Sequence, residues 1–298
     1  MDLLSAALPT PIQQLSNALT ERAGIHLYIK RDDLIHPTVS GNKWRKLKYS
    51  LLEAKARKET HILTFGGAFS NHLYATAAAG KLLGFNTIGI VRGEETIQNP
   101  SPTLQFCKAQ GMELRFVSRQ DYKRRNEKDY VSQLASEFGN PFVIPEGGTS
   151  ALALQGVAEM IDEVAIQLCQ MPGYFAVAAG TGGTAAGMLS AGAKVLVFPA
   201  LKGGAFLEED IKNLLANDFS KDNLQLFTDY HFGGYAKWNN ELLDFMDHFH
   251  IDFDIQLEQV YTAKMFYGLF DLIQKNYFQK GETIVAVHTG GLQGLLRS

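Results

Sequence analysis

The chain has 298 residues, 46% of them hydrophobic and 20% charged, with a formal net charge of -3. That balance supports a sizeable buried core and offers no basic surplus to draw nucleic acid. The one short basic run, Lys123-Arg124-Arg125, is flanked by Asp121, Glu127 and Asp129 and reads as a solvated face.

The first chemically informative stretch is Ser40-Gly41-Asn42-Lys43-Trp44-Arg45-Lys46-Leu47. Ser, Gly and Asn favour a turn and a helix cap, and Trp44, Leu47, Leu51 and Leu52 begin a helical apolar stripe. Lys43 therefore falls in the opening turn of a helix. A cation there faces the positive end of the helix dipole, which favours the free amine that Schiff-base chemistry requires. Residues 61–65 then read as a buried strand, Gly66-Gly67 as a tight turn, and Ser70-Asn71 as the cap of an Ala-rich helix reaching about Leu83. This order puts polar groups at the carboxyl end of a strand, where ligands of open α/β sheets collect.

Further strands are expected at 86–91, Glu113–Val117 and 142–145, followed by Gly147-Gly148 as a hinge or a turn and a helix at 151–170. Tyr174–Ala179 repeats the strand pattern and runs into Gly180-Thr181-Gly182-Gly183-Thr184 at the start of a helix reaching Ser190. This loop lacks the lysine of a P-loop and the dinucleotide GxGxxG spacing, so a monophosphate fits it better than a nucleotide. Strands at 194–198, 224–228 and Thr283–Val287 and a helix at 262–277 complete the alternation. His248 and His250, beside Phe249 near a helix end, have no third ligand nearby and read as structural, so no metal site is expected.

Alternating strands and helices predict an α/β fold in which open, mostly parallel sheets are covered by helices on both faces. Two domains are expected, a smaller one at about 49–150 and a larger one formed by 1–48 plus 151–298, with the ligand in the cleft between them. Two distant cysteines, Cys107 and Cys169, point to a reducing cytoplasm. The start MDLLSAALPTPIQQL has no basic opening and no long apolar core, so it reads as neither signal peptide nor membrane anchor.

Taken together, KRDDL (30–34), GNKWRKL (41–47), GGAFSNH (66–72), the glycine loop, VYTAK (260–264) and HTGG (288–291) resemble the fold type II pyridoxal-phosphate enzymes. Within them, the chain resembles the 1-aminocyclopropane-1-carboxylate deaminase and D-cysteine desulfhydrase group, over nearly its whole length. The resemblance implies a tryptophan synthase β-like fold, a small amino-acid substrate and a homodimer. It implies that Lys43 holds pyridoxal 5'-phosphate as a Schiff base and that Lys46 helps bind the phosphate. By the same resemblance Asn71 bonds the cofactor's phenolic oxygen, while Ser70 and His72 meet the substrate carboxylate. Gly180, Thr181, Gly182, Gly183 and Thr184 hold the phosphate, and Tyr235 and Tyr261 are active-site tyrosines.

Two threonines bear on the substrate. In the cyclopropane-opening branch a glutamate follows the tyrosine of the VYTAK-like motif, and here that position is Thr262. Thr289 matches the desulfhydrase-like branch, where a hydroxyl bonds the ring nitrogen without supplying a charge. A weaker electron sink suits elimination of a good leaving group such as thiolate, giving a 2-oxo acid and ammonia. Ring opening of 1-aminocyclopropane-1-carboxylate is the alternative, and a catalytically silent ligand binder is the alternative of another class. Lys264 ranks below Lys43 as a Schiff-base lysine because it lies inside a helix. The chain departs from the family at GGYAKW (233–238) and at Leu292-Gln293-Gly294, and 193–212 is abbreviated, all on the substrate side.

Overall fold

The computed structural model describes residues 4–216 and 218–295. Residues 1–3, which open the segment read above as neither signal nor anchor, lie outside the described residues, as do Asn217 and 296–298. Among the described residues, ten strands form two sheets. One has six strands in the order β1-β2-β10-β7-β8-β9, made by β1 (Ile12–Gln14), β2 (His26–Lys30), β7 (Tyr174–Ala179), β8 (Val195–Pro199), β9 (Leu224–Leu226) and β10 (Thr283–Val287). The other has four in the order β5-β4-β3-β6, made by β3 (His61–Gly67), β4 (Asn86–Arg92), β5 (Glu113–Val117) and β6 (Phe142–Ile144).

Every ladder is parallel except β1 with β2. Parallel strands covered on both faces read as unbroken apolar runs, and β7, β8 and β10 are such runs: Phe175, Val177, Val195, Val197, Ile284 and Val285 have no exposed surface. Helices Ala151–Leu168 and Gly183–Ser190 pack on one face of the large sheet, and Asn240–Phe253 and Thr262–Gln274 on the other. Among the described residues no helix is long and apolar enough to cross a membrane.

β1 and β2 were not expected. They are short, and Lys30 at the end of β2 is a fully buried charge that masks the strand pattern. The last helix ends at Gln274 rather than 277, because Asn276 turns to a φ of 54° and the Tyr277 amide bonds back to the Leu272 carbonyl. Gly147 and Gly148, both at a φ of 68°, form a tight turn closed by the Gly148 amide on the Pro145 carbonyl.

Candidate active site

The helix Asn42–Ala56 carries Lys43, and two devices fix where it starts. Gly41 precedes it at a φ of 63°, and a Cβ there would lie 1.9 Å from the Thr289 carbonyl oxygen. Only glycine lets the 288–291 loop lie against the helix start, and the Asn42 amide donates to the same carbonyl at 3.3 Å. Below the helix, the buried Arg45 guanidinium donates to both Asp32 oxygens, at 2.6 and 2.8 Å, and to Glu163, at 3.0 and 2.9 Å. Lys30 reaches Glu163 at 3.0 Å and the Thr10 carbonyl at 2.8 Å. Two cations meet two carboxylates, so the charges balance inside the protein. The KRDDL motif is thus an anchor for the Lys43 helix.

Above that anchor, a cleft of about 890 Å³ runs between the carboxyl ends of the two sheets. Lys43 lines it, half-buried, its amine donating to Asn42 Oδ1 at 2.8 Å. Burial lowers its pKa to about 8, which keeps a usable share of free amine near neutral pH.

Three residues further along, the buried Lys46 amine meets the Thr149 hydroxyl at 2.7 Å, and that hydroxyl lies 2.7 Å from the Thr181 hydroxyl. Burial, and then the nearby Lys43 charge, hold the Lys46 pKa well below the usual lysine range. An anion placed here would restore the lysine's charge. The adjoining helix Gly183–Ser190 starts behind Gly182 at a φ of 73° with no side-chain cap, so its first amides face the cleft as donors. A Cβ on Gly183 would sit 2.7 Å from Thr149 Oγ1 and 2.8 Å from Lys46 Nζ, so the glycine keeps this cradle open. Asn42 Nδ2 donates to Thr184 Oγ1 at 2.8 Å and ties the cradle to the Lys43 helix.

On the opposite wall, Ser70 caps the helix Asn71–Leu83 by accepting the Leu73 amide at 3.2 Å. Asn71 accepts a hydrogen bond from Gln293 Nε2 at 2.8 Å through Oδ1, which leaves its Nδ2 as the donor side. His72 is buried, and its Nε2 lies 2.7 Å from the Thr64 hydroxyl. That hydroxyl gives its single proton to the Ile144 carbonyl, so Nε2 carries the imidazole proton and Nδ1 is a bare acceptor. Burial, then Lys43 and Lys46, push the His72 pKa well below its usual value and keep the ring neutral. Tyr235 and Tyr261 meet edge to face with ring centroids 6.0 Å apart. Burial, followed by the neighbouring Tyr235, holds the Tyr261 pKa well above the phenol range.

The cleft thus brings together Lys43, Lys46, Ser70, Asn71, His72, the loop Gly180, Thr181, Gly182, Gly183 and Thr184, both tyrosines and Thr289. Thr262 lies outside it, buried, its hydroxyl accepting the Glu258 amide at 3.0 Å. Lys264 also lies outside, donating to the His231 and Gly234 carbonyls at 2.9 and 2.8 Å. Sequence reasoning missed Asn42 and Thr149. Thr149 was detectable: β6, Gly147-Gly148 and the helix capped by Ser150 repeat the strand, glycine and hydroxyl order of the other two loops. It also missed Glu258, a buried carboxylate that accepts the amides of Val260, Tyr261 and Thr262 at 2.6 to 2.8 Å and so fixes where Tyr261 starts its helix.

A hydroxyl and amide cradle one helical turn from a half-buried free amine fits a phosphorylated aldehyde. Comparison with known proteins decides the matter, since the profile described as "Pyridoxal-phosphate dependent enzyme" matches residues 3–290. The chain belongs to this family. Pyridoxal phosphate is accordingly its cofactor, and the two-sheet α/β architecture is that of PLP fold type II. A Pyrococcus horikoshii protein provisionally named a 1-aminocyclopropane-1-carboxylate deaminase is 34% identical, over 96% of this chain and 90% of that protein. The Arabidopsis thaliana mitochondrial bifunctional D-cysteine desulfhydrase/1-aminocyclopropane-1-carboxylate deaminase is 32% identical, over 97% and 78%. A solved structure titled as an ACC deaminase homologue superimposes with a TM-score of 0.79 at 31% identity, covering 96% of this chain and 90% of that one.

Proposed function

We propose that this enzyme is a deaminating lyase of D-cysteine desulfhydrase type, converting a small amino acid into a 2-oxo acid and ammonia by β-elimination. The observation that carries the reading is Thr262. At the position following Tyr261 it brings no carboxylate to the cleft, and its hydroxyl is spent on the Glu258 backbone. Thr289, by contrast, lines the cleft and offers a hydroxyl there. An uncharged partner favours loss of a good leaving group over the opening of a carbocycle.

In this reading Lys43 forms the covalent link, while Lys46, Thr149 and the amides and hydroxyls of 180–184 take the phosphate. Bound there, pyridoxal phosphate supplies the electron sink for the carbanion left when the α proton departs. The Lys43 amine would take that proton, and its lowered pKa suits it to the task. Asn71 Nδ2 would be the donor to the cofactor oxygen, Ser70 and the His72 region would meet the substrate carboxylate, and the adjacent Tyr235 and Tyr261 would handle protons near the β carbon. The reading carries with it the domain division 49–150 against 1–48 plus 151–298, a homodimer and a cytoplasmic setting. Free Cys107 and Cys169 agree with the last.

The test is an absorbance spectrum of the purified protein, followed by 2-oxo acid and sulfide assays with D-cysteine and 1-aminocyclopropane-1-carboxylate. Pyruvate and sulfide from D-cysteine are expected. Oxobutanoate from the cyclopropane with nothing from D-cysteine would transfer the chain to the other branch, and the name of the Arabidopsis relative gives that second reading its support. A protein without the bound-cofactor band and without turnover would be a silent binder.

A further inference from the structure

Arg92 ends β4 in register with Gly67 of β3, at the carboxyl edge of the small sheet. Its Nη2 lies 3.4 Å from where a Cβ on Gly67 would sit, just ahead of the turn that carries Ser70 and Asn71. It lines the cleft, its Cζ stands 5.8 Å from the centroid of the Tyr122 ring, and its field reaches Tyr235. The other two arginines of the cleft are locally neutralised, Arg119 by Glu95 at 2.5 Å and Arg125 by Glu146. Among the described residues Arg92 has no carboxylate at ion-pair distance. Glu95 feels its charge but is engaged by Arg119. The cleft therefore holds Lys43, Lys46, Arg92, Arg119 and Arg125 against Glu146 and Asp210. Once a phosphate has matched the two lysines, Arg92 is the cation left unmatched. At about 890 Å³ the cleft also stands near the top of the range for ligand sites, roughly 300–1,000 Å³.

We propose that Arg92 is a specificity-determining residue that pairs with an anion at the far end of the substrate's β substituent. The favoured substrates would be amino acids whose leaving group is a thiolate bearing a carboxylate. This rests on the elimination reading above. The α proton goes to the Lys43 amine, the Cβ–S bond breaks with its electron pair leaving on sulfur, and water completes hydrolysis to 2-oxo acid and ammonia. No redox partner is needed. A guanidinium matches a carboxylate in a two-pronged, orientation-dependent way that a neutral isostere cannot reproduce.

The experiment compares S-carboxymethylcysteine with its neutral isostere S-carbamoylmethylcysteine, both enantiomers, on the holoenzyme. The ratio of kcat/KM values is the readout, with β-chloroalanine as a control for elimination itself. We expect the carboxylate to be preferred by about tenfold to a hundredfold, as for one charged hydrogen-bonded pair. Arg92→Gln should bring the ratio near unity, and Arg92→Lys should keep part of it. Arg92 is exposed, so these variants keep the fold. A wild-type ratio at or below unity, or a ratio unmoved by Arg92→Gln, would overturn the assignment. Calorimetric binding of the two compounds reads the same preference without turnover. If β-chloroalanine yields no oxo acid, the elimination reading fails and the binding ratio still decides the role of Arg92.

Discussion

The Arg45 guanidinium grips both carboxylate oxygens of Asp32, at 2.6 and 2.8 Å, two residues along the helix from Lys43. Both side chains are almost fully buried, and Glu163 and Lys30 close the network. Removing one member strands a charge in the interior rather than subtracting one contact. Asp32→Asn is expected to lower unfolding free energy by about 3–5 kcal/mol, the usual cost of breaking a buried pair. Denaturant midpoints of the apoprotein measure it. A loss under 1 kcal/mol would mean the network does not hold the helix.

Much of the sheet framework was legible in the sequence because parallel strands covered on both faces write themselves as apolar runs: Tyr174–Ala179 and Thr283–Val287 were placed to the residue, as was the partly exposed edge strand Glu113–Val117. β2 escaped because its decisive residue, Lys30, is a charge that the distant Glu163 and Gln167 side chains and the Thr10 carbonyl make tolerable inside. The same limit applies in the cleft. Lys43 and the glycine loop announce their chemistry locally, whereas Thr149 acquires its role from Lys46 and Thr181, 103 and 32 positions away along the chain. His72 shows the reverse. Its position in the motif suggested a carboxylate contact, but its Nε2 proton belongs to Thr64 and only Nδ1 is left without a partner.

Lys43 supplies a pH dependence with a definite sign. The free amine is the reactive form, and burial has brought its pKa from 10.5 to about 8. Cofactor loading of the apoprotein should therefore accelerate as pH rises through about 8 and level off above it, followed by the growth of the bound-cofactor band. The same shift affects apoprotein stability. Between about 8 and 10.5 the unfolded chain binds more protons at this site than the folded one, so stability contributed here rises with pH across that window. Lys43→Ala should abolish the band, the pH-dependent loading and turnover together. A variant retaining any of them would relocate the reactive amine.

Thr149 is the hinge of the cradle proposed to take the phosphate, with its hydroxyl between Lys46 and Thr181. Thr149→Val keeps the shape and removes the hydroxyl. The Lys46 amine then loses its 2.7 Å partner, and the anion loses a donor. We expect cofactor affinity to fall about tenfold or somewhat more, from the loss of a hydrogen bond to a charged group worth about 1.5–3 kcal/mol. Fluorescence titration of the apoprotein with pyridoxal phosphate measures this. Titration with pyridoxal lacking the phosphate should show little difference between wild type and variant, and an equal loss for both ligands would place the effect outside the cradle.

Lys264, the lysine of the VYTAK motif, does a positioning task. Its buried amine donates to the carbonyls of His231 at 2.9 Å and Gly234 at 2.8 Å, with Ala200 at 3.4 Å. The His231 and Gly234 carbonyls belong to the turn that presents Tyr235 to the cleft. Lys264→Met fills the space and removes that donor, while the His231 and Gly234 carbonyls keep the Gly234 and Lys237 amides at 3.0 and 3.2 Å, so the cost is about 0.5–1.5 kcal/mol for each hydrogen bond lost. The expected result is a lowered Tm and a raised KM for the amino-acid substrate, with the bound-cofactor band intact because Lys43 and the cradle lie elsewhere. Loss of that band instead would return Lys264 to contention as the residue that carries the cofactor.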